Sequence, residues 1–231
     1  MIYQNIEHIR QRIALSCLRA GRDPAGVVLL AVAKTFPAAA VREVVQAGIV
    51  DIGENYVQEM LQKREELPDP GIRWHFIGHL QSNKTKYLAE WVHLIHTVDN
   101  IGVAAEINKR GNSSHRVIDI LVEVNTTGES SKFGVRPEQT AEFVRSLARL
   151  EHMRVKGLMT IGPFLPDPEG SRPMFRQLRM LKEEVAALKQ ENVDMHHLSM
   201  GMTGDFEVAI DEGATIVRIG TAIFGSRTKR T

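Results

Sequence analysis

Apolar positions along the chain fall into two alternating rhythms. Near residues 3–20, Ile6, Ile9, Ile13 and Cys17 recur at helical spacing, and Gly21 supplies a stop. From Val27 to Ala33 the chain is a near-continuous apolar run, rich in β-branched residues, that ends on Lys34 and Thr35. Such a run predicts a strand covered on both faces. The alternation then repeats, with strands predicted over 49–55, 73–78, 92–98, 117–125, 153–160, 196–201 and 214–220. Between them, helices are predicted over 37–48 and 56–67, as a short piece after Lys84, from a cap at Asp99 or Asn100, from Pro137, and over 174–190 and 206–210. The loop over 162–173 holds four prolines and suggests a lid or an irregular crossing.

Eight strands alternating with helices predict an α/β fold, a single (β/α)8 TIM-type barrel over residues 1–231 with an extra helix ahead of the first strand. An open doubly wound sheet is the alternative that the same pattern permits. Hydrophobic residues at 43% and charged residues at 25% are the balance of a globular protein with one substantial core. A formal net charge of +1 gives no global reason to expect nucleic acid or an anionic membrane as partner. The early charges exclude a secretory apolar segment, and no apolar run spans a bilayer, so the expected setting is the cytoplasm. One cysteine, Cys17, leaves no internal disulfide and falls in step with a packed helix face. The basic tail Ser226–Thr231 is expected to be a solvated end.

Barrel active sites form where the C-terminal ends of the strands meet. Those ends supply Lys34, Asn55, His79 with Gln81, Asn125, Thr160, Ser199 and Arg218, whereas the opposite ends offer no comparable set. The turn Ser199-Met200-Gly201-Met202-Thr203-Gly204-Asp205 is small and glycine-bearing, and Gly220-Thr221 repeats the idea after the last strand. Neighbouring turns of this kind can hold a phosphate on backbone N–H groups. Lys34 is either the point where a strand emerges into solvent, a phosphate counter-charge, or an amine nucleophile. It shares strand parity with Leu30 and Val32 and so faces the mouth, across from Arg218. Two neighbouring cations lower each other's proton affinity, which favours the free amine.

Several stretches resemble the pyridoxal phosphate homeostasis protein family. They are Ala31-Val32-Ala33-Lys34-Thr35, Gly53-Glu54-Asn55-Tyr56-Val57-Gln58-Glu59 and Trp74 through Lys84 (WHFIGHLQSNK). Lys132-Phe133-Gly134, Leu198-Ser199-Met200-Gly201-Met202 and Arg218 through Gly225 continue the match in the same order. Ile52 and Thr203 differ from the residues expected most often there. The resemblance implies a barrel like the N-terminal domain of alanine racemase, with pyridoxal 5′-phosphate (PLP) as an internal aldimine on Lys34. It implies that Ser199, Gly220 and Thr221 hold the phosphate with the Met200-Gly201 backbone nearby, that Asn55 lies beside the cofactor, and that Arg218 faces the pyridine nitrogen. A permanent cation at that nitrogen disfavours its protonation and weakens the ring as an electron sink.

Racemisation needs bases on both faces of the reacting carbon, and the resembled racemases take one from a second domain. The sequence ends about ten residues after the last strand, so no such domain is expected. The resemblance implies instead a protein that holds and buffers PLP, influencing amino- and keto-acid pools, with apo-PLP enzymes as candidate recipients. A monomer or weak dimer is expected. A weak PLP-dependent racemase and a phosphosugar-handling barrel are the competing readings. His196 with His197, and His93 with His96, offer imidazoles, but no metal site is expected because no cysteine or carboxylate cluster completes them. Lys63-Arg64-Glu65-Glu66 reads as a solvated helix face, and Lys132 is left open between ligand and solvent.

Overall fold

Eight parallel strands close on themselves in chain order. They are β1 (Val28–Val32), β2 (Asp51–Glu54), β3 (Arg73–Phe76), β4 (Leu94–Val98), β5 (Ile118–Glu123), β6 (Met153–Met159), β7 (Val193–Ser199) and β8 (Ile216–Ile219). Because β1 pairs with both β2 and β8, the sheet has no edge, and the doubly wound alternative is excluded. This computed structural model describes residues 1–129, 132–163 and 165–225, so the expected tail Ser226–Thr231 lies outside the described residues.

The helices form the outer ring: α1 (Ile2–Arg19), α2 (Ala38–Gln46), α3 (Val57–Glu66), α4 (Ile101–Ser113), α5 (Thr140–Leu147), α6 (Arg172–Ala187), α7 (Phe206–Asp211) and α8 (Thr221–Phe224). A six-residue 3₁₀ turn, Ser82–Tyr87, replaces an α-helix between β3 and β4. Two apolar layers result. Leu30, Val32, Ile77, Leu94, Leu121, Met159 and Ile216 fill the barrel, and a larger layer lies between sheet and helices. The extra α1 buries Ile6, Ile9, Ile13 and Cys17 as its spacing predicts. It is tied down by Arg12, whose guanidinium donates twice to Glu207 on α7 at 3.0 Å.

Most strands are a residue or two shorter than their apolar runs, and three boundaries differ for a clear local reason. β1 stops at Val32, although the Ala33 N–H still donates to Gly53. Thr35 at φ 68 turns the chain away, so Lys34 sits in the turn and not on the strand. β7 begins at Val193, earlier than position 196, because Val155 extends the ladder on that side. β4 begins at Leu94, after His93 has donated its N–H to Trp74.

Candidate functional site

At the C-terminal end of the barrel lies a cavity of about 580 Å³, within the range that small-molecule sites occupy. Lys34, Asn55, Arg218, Gly220 and Thr221 line it, together with Val32, Ile77 and the Met202–Asp205 turn. Ile161, Pro163, Leu165 and Pro166 form the remaining wall, so the proline-rich loop is part of the cavity as it stands. Its far end is anchored by Ser171, whose hydroxyl donates to Asp205 at 3.1 Å.

Lys34 is held by its neighbours. The Ala33 carbonyl accepts from Lys63 Nζ at 2.7 Å, and the Thr35 N–H donates to Glu59 at 2.8 Å. Lys63 also lies 2.5 Å from the Glu54 carboxylate, and both side chains are buried. This corrects the reading of Lys63 as part of a solvated face: α3 turns that residue inward to meet Glu54 at the end of β2. Burial pushes the Glu54 carboxyl up to about 7 despite the downward pull of Lys63. Arg64, its neighbour, stacks over Trp91 at 4.5 Å.

Asn55 is placed by glycine. A Cβ at Gly78 would stand 2.0 Å from the Asn55 carbonyl oxygen, so only glycine lets the end of β3 pass there. The Asn55 side-chain oxygen is buried without a hydrogen-bond partner while its residue lines the cavity. An orphaned acceptor of this kind costs stability unless a ligand or water satisfies it. Gly201, at φ 86, packs where a Cβ would meet Ala209 at 2.5 Å, which fixes the turn after β7.

Arg218 projects from β8 and is only 5% exposed. Its guanidinium donates to Ser199 Oγ at 2.8 Å and to the Thr160 carbonyl at 2.7 Å. Burial lowers it to about 10, against the opposing pull of Asp205 and Glu123. Burial likewise raises Glu123 to about 7, helped by Asp99.

The remaining strand-end residues divide. Ser199 does not line the cavity: its hydroxyl lies beneath Arg218 and also meets His96 Nδ1 at 2.9 Å. Met200 is wholly buried in the outer apolar layer. His79 stacks on Phe133 at 3.8 Å, and Asn125 spends its amide on the carbonyls of Glu129 and Lys132. Lys132 itself pairs with Glu129 at 2.7 Å.

Two features escaped the sequence reading. Beside its apolar filling, the barrel's interior carries polar groups towards the N-terminal end, where no set comparable to the mouth was expected: Asp51, His75 and His96 lie buried there in hydrogen-bond contact. Period-two parity with Gly53, Ile77 and Leu94 was the available signal, since it sends all three inward. Second, a carboxylate does join an imidazole pair. Asp51, His75 and His93 bring their ligand atoms within 4.8 Å of one another, a grouping that takes in His93 with His75 and neither of the imidazole pairs singled out from sequence. There the Asp51 carboxylate already pairs with Arg73 at 2.5 Å, and His75 is engaged at both ring nitrogens.

Residues 2–228 match the family described as alanine racemase, N-terminal domain. The chain is 48% identical over 224 residues to the pyridoxal phosphate homeostasis protein of Aquifex aeolicus, covering 97% of each. It superposes on PipY of Synechococcus elongatus, a structure with PLP bound, at a TM-score of 0.85 and 31% identity, covering 97% of this chain and 100% of that one. Alanine racemase of Clostridium difficile shares the fold at a TM-score of 0.73 and 13% identity, the match covering 98% of this chain and 58% of the racemase. The chain is a member of the pyridoxal phosphate homeostasis protein family, built on the barrel of the alanine racemase N-terminal domain.

Proposed function

We propose that this protein binds PLP at the barrel mouth through Lys34 and serves PLP homeostasis by holding the cofactor more than by using it. The observation that carries the reading is the cavity's own chemistry. An amine, a buried arginine and an unpartnered Asn55 oxygen share one cavity with the Gly220-Thr221 and Met202–Asp205 turns. PLP, when bound, supplies an aldehyde for the amine and a conjugated ring that can accept electrons. Lys34 would be the group to meet the aldehyde, and Arg218 would hold a positive charge beside the ring. Backbone groups at Gly220 and Thr221 offer a place for the phosphate, and Asn55 offers its free acceptor to the cofactor.

Efficient turnover is not expected in this reading. Among the described residues lining the cavity there is no tyrosine: Tyr56 is 56% exposed, and Tyr3 and Tyr87 lie elsewhere. Asp205, the carboxylate at hand, already accepts from the Met202 N–H and from Ser171. With it goes the proposal of a cytoplasmic setting and a monomer or weak dimer, with apo-PLP enzymes as candidate recipients. Among the described residues no helix is long and apolar enough to cross a membrane. Borohydride treatment of the PLP-loaded protein, followed by peptide mass analysis, tests the central claim. The cofactor's mass is expected on Lys34 and absent in Lys34→Ala, and a label elsewhere overturns the reading.

A further inference from the structure

A single file of polar groups runs through the barrel from one end to the other. Asp51 Oδ1 lies 2.9 Å from His75 Nε2, and His75 Nδ1 lies 3.0 Å from His96 Nε2. His96 Nδ1 lies 2.9 Å from Ser199 Oγ, which accepts from Arg218 at 2.8 Å. His75 is 2% exposed, and His96 and Ser199 are not exposed at all.

The bonding pattern leaves one arrangement of protons. Arg218 is only a donor, and Asp51 is ionised and only an acceptor, its carboxyl held below the usual range by His75 and Arg73 against the cost of burial. His75 therefore donates from Nε2. Burial keeps its ring neutral, so Nδ1 must accept, and His96 must donate from Nε2. The His96 ring is also neutral, for the same reason, so its Nδ1 accepts and the Ser199 hydroxyl donates to it. Every bond then points from Arg218 towards Asp51, with both ring nitrogens of His75 and of His96 engaged. Arg73 and His93 flank the Asp51 end, while Glu123 and Asp205 flank the Arg218 end.

We propose that His96, with His75 and Asp51 behind it, is a positioning residue for the cofactor site, acting through the Ser199 hydroxyl to fix the Arg218 guanidinium at the floor of the cavity. With Ser199 committed as a donor to His96, its lone pairs are presented to Arg218. The Thr160 carbonyl takes the second guanidinium bond, so the cation cannot withdraw from the mouth. A bound PLP ring thus meets a charge whose position is set from the far end of the barrel. The proposal rests on the reading that PLP binds over Arg218.

Two measurements test it, one without cofactor. Long-range ¹H–¹⁵N NMR on the cofactor-free protein at pH 7 is expected to show His75 and His96 neutral and protonated on Nε2. A protonated ring, or either histidine protonated on Nδ1, overturns the arrangement whatever the protein binds. On the PLP-loaded protein, His96→Leu is expected to weaken PLP binding by about tenfold or more, the scale of a hydrogen bond to a charged group. It is also expected to make the visible band pH-dependent, and His96→Asn, which keeps an acceptor towards Ser199, is expected to restore both properties. Should His96→Leu fail to fold, Ser199→Ala severs the same file at nearly constant volume and is expected to shift the same two readouts. A folded His96→Leu or Ser199→Ala protein with the affinity and band of the parent overturns the proposal. If the parent takes up no PLP, the functional reading falls first, and the NMR result still decides the arrangement of the file.

Discussion

Lys63 reaches from α3 to bridge the Glu54 carboxylate at 2.5 Å and the Ala33 carbonyl at 2.7 Å, so one ammonium ties the end of β2 to the residue before Lys34. Removing it strands a buried carboxylate and frees a carbonyl at once. Lys63→Met is therefore expected to destabilise the fold by about 3–5 kcal/mol, the usual result of breaking a buried pair from one side. The double variant Lys63→Met, Glu54→Leu removes both charges and is expected to recover most of that loss. Urea denaturation of the three proteins checks this, and a single variant within about 1 kcal/mol of the parent contradicts it.

The pH dependence of stability follows from groups that burial has shifted in opposite senses. Glu54 and Glu123 titrate near 7 in the folded state, so between 4.5 and 7 the folded chain holds protons that the unfolded chain has released. Their contribution is present at low pH and is lost as pH rises through 7. His75, His93, His96 and His197 are all lowered from 6.5 by burial. Their contribution is present above 6.5 and is lost as pH falls below it. Four imidazoles outweigh two carboxyls on the acid side, and the carboxyls act alone just above 6.5. Calorimetry at pH 5, 6.5 and 8 is expected to give the highest Tm at 6.5. Glu54→Gln combined with Glu123→Gln is expected to flatten the alkaline limb, and a Tm still climbing from 6.5 to 8 in the parent contradicts this account.

How far the sequence could be read is visible in these same residues. The eight apolar runs specify the barrel because a strand covered on both faces must be apolar along its length, and the strand ends lead to Lys34, Asn55, Arg218, Gly220 and Thr221 at one cavity. Lys63 was misread because its neighbours Arg64, Glu65 and Glu66 are charged, and local composition cannot show that the end of β2 leaves a carboxylate buried beneath α3. The interior roles of His75 and His96 were missed for a related reason, although His96 had been noted beside His93. Parity sends a mid-strand histidine inward, but what it bonds there is legible only when its partner is known, and Asp51 and Ser199 lie 24 and 103 residues away from the histidines they bond. Pairings across such separations are set by barrel closure, which places β2, β3, β4 and β7 around one interior.

Gly78 offers a test of how the cavity wall is set. An alanine there drives its methyl against the Asn55 backbone, and the Gly78 carbonyl is itself held by Thr97 at 2.6 Å, so β3 cannot yield easily. Gly78→Ala is expected to cost about 1–3 kcal/mol, as overpacking does, and to push Asn55 out of line. PLP affinity measured by fluorescence is expected to fall more than the stability loss alone explains. An alanine variant that binds PLP as the parent does would show that Asn55 takes no part.

Exchange of hand at an amino acid's α-carbon requires one group to remove the proton and another, on the opposite face, to return it. Lys34 is one candidate base at this mouth, and its partner would have to come from the cavity wall. The described wall offers Asp205, whose two oxygens are already spent on Met202 and Ser171, and no tyrosine. If PLP binds as proposed, Arg218, held by Ser199 and Thr160, would keep a positive charge beside the ring nitrogen and disfavour the protonation that helps to stabilise a carbanion. Both deficits slow the same step. The PLP-loaded protein incubated in deuterium oxide with L- or D-alanine is expected to leave enantiomer composition unchanged over hundreds of minutes, with at most slow α-deuterium uptake that retains configuration. Retention is the expected pattern when one base both removes and returns the proton on a single face. Racemisation at enzyme-like rates of roughly one turnover per second or faster would require a second base and would overturn the reading of this site as one that holds its cofactor.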